Sequence, residues 1–329
     1  LRCGISDKTI NKICKGTDYE IPIFGCQLAT NCENRPEMRG KKRLEPKLDG
    51  VRVLMLINPP SDIHDDFSIV SYSRNGKPFY NFTHIEEQVK ENFQKLVKKA
   101  GTSNLSMGFV LDGEVIGNTF QELMRQARRK ENVQAEDSVF NVFDILPLAS
   151  FREGHWNAQL HKRIKILEDL RSVFDDMPNV ELLPHIDVDL DTAAGVDQFH
   201  RYCKDMVNDG FEGVMIKDLD APYECKRNTF WMKYKPTITV DLEVIGVEEG
   251  TGRNEGRLGA LVCAGQDDGK DITVNVGSGF SDDDRDNYWR DSNHIIGRTA
   301  EILCDVITQN RDGTYSLRFP RFVRFRDDK

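Results

Sequence analysis

Lysine attacks phosphorus only as the free amine, and its ordinary pKa of about 10.4 keeps it protonated unless nearby cations or a metal depress that value. Lys47 stands in Lys47-Leu48-Asp49-Gly50-Val51-Arg52, where an Asp-Gly turn would fold the chain and return Arg52, a planar phosphate-binding fork, beside the lysine. The plain alternative is an exposed turn between charged strand ends. Lys233 and Lys235 are two residues apart on a β-prone run and so project to one side, where two cations near a phosphate would stabilise developing charge and depress the Lys47 pKa. Solvated alternating lysines are the plain alternative for that pair. Glu114 and Glu212, at the edges of predicted strands, suit ribose hydroxyls or a hard cation such as Mg²⁺, although either alone reads as surface charge. Phe143, in an otherwise aliphatic run, reads first as a core aromatic.

The elements that must position these residues follow from periodicity. Apolar alternation and turn signals predict strands at 51–57, 68–73, 109–116, 138–146 and 213–217. Apolar residues three and four apart predict helices at 85–100, 120–130, 160–174 and 196–208, with a short one at 8–14. The order lacks the regular alternation of a doubly wound fold, so the class is α+β with antiparallel sheets. A boundary near Pro236 divides the chain into domains 1–237 and 238–329. Beyond it, strands at 239–247, 259–264, 272–276, 299–307 and 315–319, with one helix around 282–291, fit a small β-barrel of the OB-fold kind.

Composition limits the possibilities further. The 329 residues carry 45 Lys and Arg against 54 Asp and Glu, a net charge of −9, which alone argues against nucleic acid. Distribution counts for more than the sum. Between Arg35 and Arg52 stand seven cations (Arg35, Arg39, Lys41, Lys42, Arg43, Lys47, Arg52) against three acids, and between Arg311 and Arg326 five against one. Arg39, Lys41, Lys42 and Arg43 form a candidate phosphate-backbone patch or a solvated loop, and Arg125, Arg128, Arg129 and Lys130 have the same standing. The eight cysteines lack zinc-site spacing and are expected to be reduced thiols. With no secretory pattern and no apolar run near membrane length, a soluble cytoplasmic protein is expected. The chain opens on Leu1 rather than Met, so a few residues are expected to precede it.

The motifs, taken in order, carry a family likeness. They are Glu45-Pro46-Lys47-Leu48-Asp49-Gly50-Val51-Arg52; Ser73-Arg74-Asn75-Gly76; Leu111-Asp112-Gly113-Glu114; and Val142-Phe143-Asp144-Ile145-Leu146. They continue with Glu212-Gly213-Val214-Met215-Ile216-Lys217, then Trp231-Met232-Lys233-Tyr234-Lys235-Pro236, and close with the run from Arg318 to Lys329. The series resembles the covalent nucleotidyltransferases, and among them the ATP-dependent DNA ligases of compact viral or bacterial type, over the stretch from Glu45 to Lys329.

The resemblance implies an adenylyltransferase domain of α+β architecture followed by an OB-fold domain, and sealing of 5′-phosphate/3′-hydroxyl nicks in duplex DNA. Lys47 would be the nucleophile that becomes lysyl-AMP, with Lys233 and Lys235 at the α-phosphate. Glu45, Arg52, Glu114, Phe143 and Lys217 would join the nucleotide site, Phe143 stacking on adenine. Glu114 and Glu212 would meet Mg²⁺ or Mn²⁺. Arg74, with Arg52, would reach the DNA, Arg74 at the nick's 5′-phosphate. Arg326, Asp328 and Lys329 would orient the departing pyrophosphate as the barrel closes over ATP. ATP as substrate, nicked double-stranded DNA as partner and a monomeric state complete the expectation. An RNA ligase or a capping guanylyltransferase shares the lysine chemistry, and a non-catalytic nucleic-acid-binding protein would share only the barrel and the basic patches.

Overall fold

Alternating apolar residues along neighbouring strands give a sheet two faces to bury, and the first part of the chain is built to cover both. The computed structural model describes residues 7–14, 24–32, 38–59, 67–100, 105–117, 123, 134–310 and 313–326. It divides into two compact units, Leu1–Tyr234 and Lys235–Lys329.

The first unit runs α1 (Asp7–Cys14), β1 (Leu28–Asn31), β2 (Lys41–Pro46), β3 (Val51–Asn58), β4 (Ser68–Ser73), α2 (Thr83–Ala100), β5 (Phe109–Ile116) and β6 (Val139–Pro147). It continues with α3 (Leu148–Glu153), β7 (His155–Trp156), α4 (Leu160–Phe174), β8 (Val180–Leu182), β9 (Ile186–Asp189), α5 (Ala193–Asn208), β10 (Val214–Asp218), β11 (Tyr223–Glu224) and β12 (Arg227–Tyr234). Two five-stranded sheets result, in the orders β1-β12-β10-β2-β9 and β4-β3-β5-β6-β8. Pairing is antiparallel except where β1 meets β12 and β6 meets β8.

Each sheet turns one face to helices. Val53, Met55 and Ile57 of β3 and Leu111 and Val115 of β5 pack with Ile85, Val89 and Phe93 of α2 and with Ile164, Leu167 and Leu170 of α4. Leu44, Val214, Ile216 and Met232 of the other sheet pack with Phe199 and Cys203 of α5. The opposite faces meet through Leu54, Val110, Phe143, Leu146, Tyr223 and Trp231. The charged motif residues therefore line a region between two sheets, each backed by helices.

One irregularity lets Phe143 leave the helix-backed core without carrying Ile145 out with it. Asp112 pairs with Asp144 but Gly113 pairs with Val142, so Phe143 is an extra residue in β6. Such a bulge re-aims side chains. Val142 and Ile145 then serve the helix-backed core, while Phe143 and Leu146 turn to the other side. Gly113 is required here, because a Cβ would fall 2.5 Å from the Asn141 carbonyl oxygen and from the Phe140 ring.

The second unit carries β13 (Ile238–Glu249), β14 (Leu258–Asp267), β15 (Lys270–Val276), α6 (Asp282–Arg290), α7 (Ser292–Ile295), β16 (Thr299–Cys304), β17 (Val306–Gln309), β18 (Tyr315–Arg318) and β19 (Arg321–Arg326). Its seven strands form one curled sheet in the order β17-β18-β15-β14-β13-β16-β19 around an apolar core that includes Val244, Leu261, Ile302 and Phe325. Alternation in the sequence predicts about five strands. The predicted strand 299–307 breaks at Asp305 into two, and β19 shows in the sequence only as a basic and aromatic run. Its alternation is imperfect, because a register shift opposite Glu301 and Ile302 buries both Phe322 and Phe325. Phe319 sits outside the strands at φ 53°, 61% exposed, and does not pack in the barrel.

The acidic run Asp282–Asp284 has a local function. It forms the first turn of α6, where negative charge is favoured by the helix dipole, and Ser281 and Asp284 make a reciprocal capping box. Arg285 then donates to the carbonyls of Leu258 at 2.6 Å and Gly277 at 2.7 Å, tying the helix to the sheet.

The predicted helix at 120–130, with Arg125, Arg128, Arg129 and Lys130, lies outside the described residues. Cys26, Cys203, Cys225, Cys263 and Cys304 are free thiols, and no helix among the described residues is long and apolar enough to cross a membrane.

The deepest charge in the first unit is a matched one. Arg163 donates to Asp144 through Nε at 2.8 Å and Nη2 at 3.0 Å, and both side chains are 0% exposed. Removing one partner of such a pair costs about 3–5 kcal/mol, because the other stays buried and uncompensated. Arg163→Met is accordingly expected to lower first-unit stability by about that amount, and adding Asp144→Asn to recover part of it. Urea unfolding followed by circular dichroism measures both; equal stability of Arg163→Met and wild type would refute the expectation.

Candidate nucleotide site

The site is assembled on the facing sides of the two sheets. Lys47 follows β2, and its loop is clamped by backbone bonds: its N–H donates to the Gly213 carbonyl at 2.9 Å, and the Glu212 N–H donates to the Lys47 carbonyl at 3.2 Å. These bonds bring the Lys47 Nζ into an ion pair with the Glu212 carboxylate. Gly50 lets β3 begin hard against β5, since a Cβ there would collide with the Val115 carbonyl oxygen.

Register lines up the remaining groups. Glu45, Met215 and Lys233 are cross-strand neighbours in one row, and Arg43, Lys217 and Trp231 in another. Glu45 and Lys217 are 2% and 1% exposed and pair at 2.6 Å. Although close, neither Glu45 Oε2 nor Lys217 Nζ has an aligned hydrogen-bond partner among the described residues. The ammonium also lies 4.1 Å from the centre of the Phe143 ring and 4.2 Å from that of Trp231. Burial lowers the Lys217 pKa against the opposing pull of Glu45 and Asp144.

On the facing sheet, Arg52 and Glu114 are directly opposite each other. Arg52 grips Asp112 with its Nε and, at 2.6 Å, its Nη2. It stacks 4.7 Å from the Phe143 ring centre and 5.3 Å from Trp231. Burial alone would weaken its charge, yet Asp112, together with Cys26 and Tyr223, outweighs that and holds the pKa well above the ordinary value. Glu114 is pushed up to about 7, first by burial, with Arg52 and Lys47 pulling down and Asp112 and Glu212 pushing up. Those four influences place Lys47, Arg52, Asp112 and Glu212 all within electrostatic reach of one carboxyl.

The structure thus gathers Lys47, Glu45, Arg52, Glu114, Phe143, Glu212 and Lys217 in one region, with Lys233 in the Glu45 row. Other predicted residues lie elsewhere. The strand expected to carry both lysines ends at Tyr234, and Lys235 belongs to the second unit, where it lies 3.8 Å from Asp305. Arg326 is also in that unit, bound to Asp241 at 3.2 Å. Arg74 is exposed on the turn that the Gly76 N–H closes onto the Ser73 carbonyl at 2.9 Å. Asp328 and Lys329 lie outside the described residues.

Two members of the basic patch need correction. Lys42 and Arg43 are buried at 7% and 5% and pair with Asp218 at 2.7 Å and with Asp187 at 2.7 and 2.8 Å. They are structural charges, whereas Arg39 and Lys41 are exposed.

Asp112, Tyr223 and Gln27 belong to the site without being singled out by the sequence motifs' chemistry. Asp112 could have been found, because it shares a strand face with Glu114 in Leu-Asp-Gly-Glu. Tyr223 and Gln27 stand 196 residues apart and carry no local signal.

The same carboxylates bear on whether a divalent cation fits. Among the described residues no cluster of three or more His, Cys, Asp or Glu could hold a metal ion. Mg²⁺ commonly takes only one or two carboxylates and completes its shell with water and substrate phosphates. Glu114 and Glu212 fit a cation that arrives with a polyphosphate.

Comparison with known proteins agrees with this architecture. Residues 26–235 match the model of the ATP dependent DNA ligase domain, and residues 249–326 that of the DNA ligase OB-like domain. A DNA ligase of Archaeoglobus fulgidus is 30% identical, covering 95% of this chain and 57% of that protein. One from Thermococcus fumicolans is 28% identical, covering 89% and 53%. The chain spans about half the length of the curated relatives it matches. A solved structure named Pmar-Lig_PreS3 is 44% identical with a TM-score of 0.83, covering 98% of this chain and 73% of that one. A Lig E DNA ligase, at 17% identity and a TM-score of 0.62 over 92% of this chain and 99% of its own, shares the fold. With the lysine motif, its carboxylates and its aromatic walls brought together on a nucleotidyltransferase domain ahead of an OB-like domain, the chain belongs to the ATP-dependent DNA ligase family.

Proposed function

We propose that this protein seals 5′-phosphate/3′-hydroxyl nicks in duplex DNA with ATP, through a lysyl-AMP intermediate on Lys47 and an adenylated DNA end. The observation that carries the reading is the Lys47–Glu212 pair, held by mutual backbone bonds within electrostatic reach of Glu114 and of Arg52, which itself lies over the Phe143 and Trp231 rings.

In the resting protein Glu212 holds the Lys47 amine in an ion pair. A divalent cation drawn to Glu114, Glu212 and the triphosphate would screen phosphate charge there. With Glu212 so engaged, the amine is released from that pair. Phe143 would stack on the adenine with the buried Trp231 behind it, and the buried Glu45 carboxylate and Lys217 ammonium lie beside these rings with hydrogen-bonding capacity left over. Lys47 Nζ then attacks the α-phosphorus, the bond to pyrophosphate breaks, and Arg52 and Lys233 supply positive charge. AMP passes next to a 5′-phosphate, which Arg74 is exposed to meet, and the 3′-hydroxyl displaces AMP as the phosphodiester forms. Lys235 and Arg326 are the further cations assigned to the nucleotide, Arg326 to the departing pyrophosphate. The protein acts as a monomer in the cytoplasm.

Two experiments test this reading. Incubation with labelled ATP, GTP or NAD is expected to give a covalent adduct with ATP alone, absent in Lys47→Ala, and the wild type to seal nicked DNA; an adduct with GTP only would assign the chemistry to capping instead. Arg326→Ala should slow self-adenylation by at least about tenfold while changing sealing of a pre-adenylated nick by less than about threefold, the pattern of a residue that acts on one transition state only. Equal losses in the two steps would remove Arg326 from the pyrophosphate site.

A further inference from the structure

Beneath the site, four groups close a hydrogen-bonded circuit. The Tyr223 hydroxyl donates to Asp112 Oδ2 at 2.7 Å. The Gln27 backbone N–H donates to the Tyr223 oxygen at 3.3 Å. Arg52 grips both carboxylate oxygens of Asp112 with Nε and Nη2, and its Nη2 also reaches the Gln27 carbonyl at 3.4 Å. Gln27, Asp112 and Tyr223 are all 0% exposed. The circuit uses Nε and Nη2 of Arg52 and leaves Nη1 outside it.

We propose that Tyr223, which touches no reacting group, is a positioning residue for nucleotidyl transfer: its hydroxyl fixes the Asp112 carboxylate so that Arg52 presents its remaining donors to the nucleotide. The inference rests on the ligase reading. Its physical basis is geometric. A carboxylate held only by an arginine fork can turn with its partner, and a third bond from a rigid donor stops that rotation. Tyr223 is such a donor, because its ring packs edge-on against Trp231 at 5.9 Å and lies 5.7 Å from the Arg163 guanidinium. The Gln27 N–H accounts for the phenol oxygen, so the hydroxyl proton is directed at Asp112. Trp231 also faces Phe143 at 5.7 Å, so the ring that braces the tyrosine is a wall of the site. Tyr223 lies in no stretch of the family motifs, and its contribution is made entirely through Asp112 and Arg52.

The test is a mutant cycle on single-turnover lysyl-AMP formation with labelled ATP and MgCl₂. Tyr223→Phe keeps the ring and its packing. It should slow adduct formation roughly tenfold, the scale of one hydrogen bond to a charged group, with little change in the ATP concentration giving half-maximal rate. In the Arg52→Lys background the same substitution should be silent to within about twofold, since the residue it acts through no longer forks. p-Aminophenylalanine at 223, which returns a donor at the same place, should recover most of the lost rate. If the two substitutions multiply, or if Tyr223→Phe reacts at the wild-type rate, the proposal is overturned. Should Tyr223→Phe fail to fold, as read by its thermal melt, p-aminophenylalanine at 223 decides alone: a rate within about threefold of wild type supports the proposal, and a loss of about tenfold or more in a folded protein overturns it. A wild-type protein that forms no adduct with ATP would overturn the ligase reading itself, an outcome distinct from a functional enzyme whose cycle is multiplicative.

Discussion

The Arg52–Asp112 pair is the interaction on which the arrangement of the site depends. A charge removed from water has to be matched, and the space between the two sheets is lined with charge from both sides. Arg52 and Asp112 sit on adjacent strands and satisfy each other, so the β3–β5 side of the site carries a fixed, neutralised platform. On the other sheet Glu45 and Lys217 match each other in the same way. The two pairs differ in what they leave over. Asp112 is saturated by three donors, whereas Glu45 and Lys217 retain hydrogen-bonding capacity at less than 3% exposure, and unspent capacity at such burial is where a ligand's own polar groups gain most.

Position within the site is set by register as much as by charge. Without the extra residue in β6, strict alternation would give Phe143 the face opposite Val142 and put Ile145 on that same face, exposing a core residue to the polar side. The bulge lets Val142 and Ile145 both stay in the core and still brings Phe143 across to Trp231. A core requirement and a binding requirement are met by one inserted residue, and Gly113 opposite it is the backbone concession that lets the strands close up.

These dependencies explain what the sequence disclosed. The strands at 68–73 and 109–116 and the helix at 160–174 lie where alternation and helical spacing placed them, because each buries one apolar face against a continuous core. β2 was invisible for the opposite reason. Lys42, Arg43 and Glu45 are charged yet buried, and the partners of the two cations, Asp218 and Asp187, come from 176 and 144 residues away, so a core strand looked like a solvated basic loop. The site itself was legible through its motifs, each of which carries its chemistry within a few residues. The circuit of Gln27, Tyr223 and Asp112 was not, since hydrogen bonds between distant segments leave no periodic trace. Lys233 and Lys235 show the limit of local geometry: two residues apart is one face only while the strand continues, and β12 stops between them.

That stop divides the two lysines between different surroundings. Lys233 stays in the sheet that holds Glu45, while Lys235 and Arg326 are held by Asp305 and Asp241 within the second unit at 3.8 and 3.2 Å. These contacts are looser than the 2.6 Å bond that Arg52 makes to Asp112, and their side chains remain between about a fifth and a quarter exposed. A partly hydrated cation can reorient at small cost, because its carboxylate partner keeps access to water. A buried cation such as Arg163 cannot. The contrast follows: Arg163 and Asp144 fix the fold because they are buried and saturated, whereas Lys235 and Arg326 are shared and partly wet.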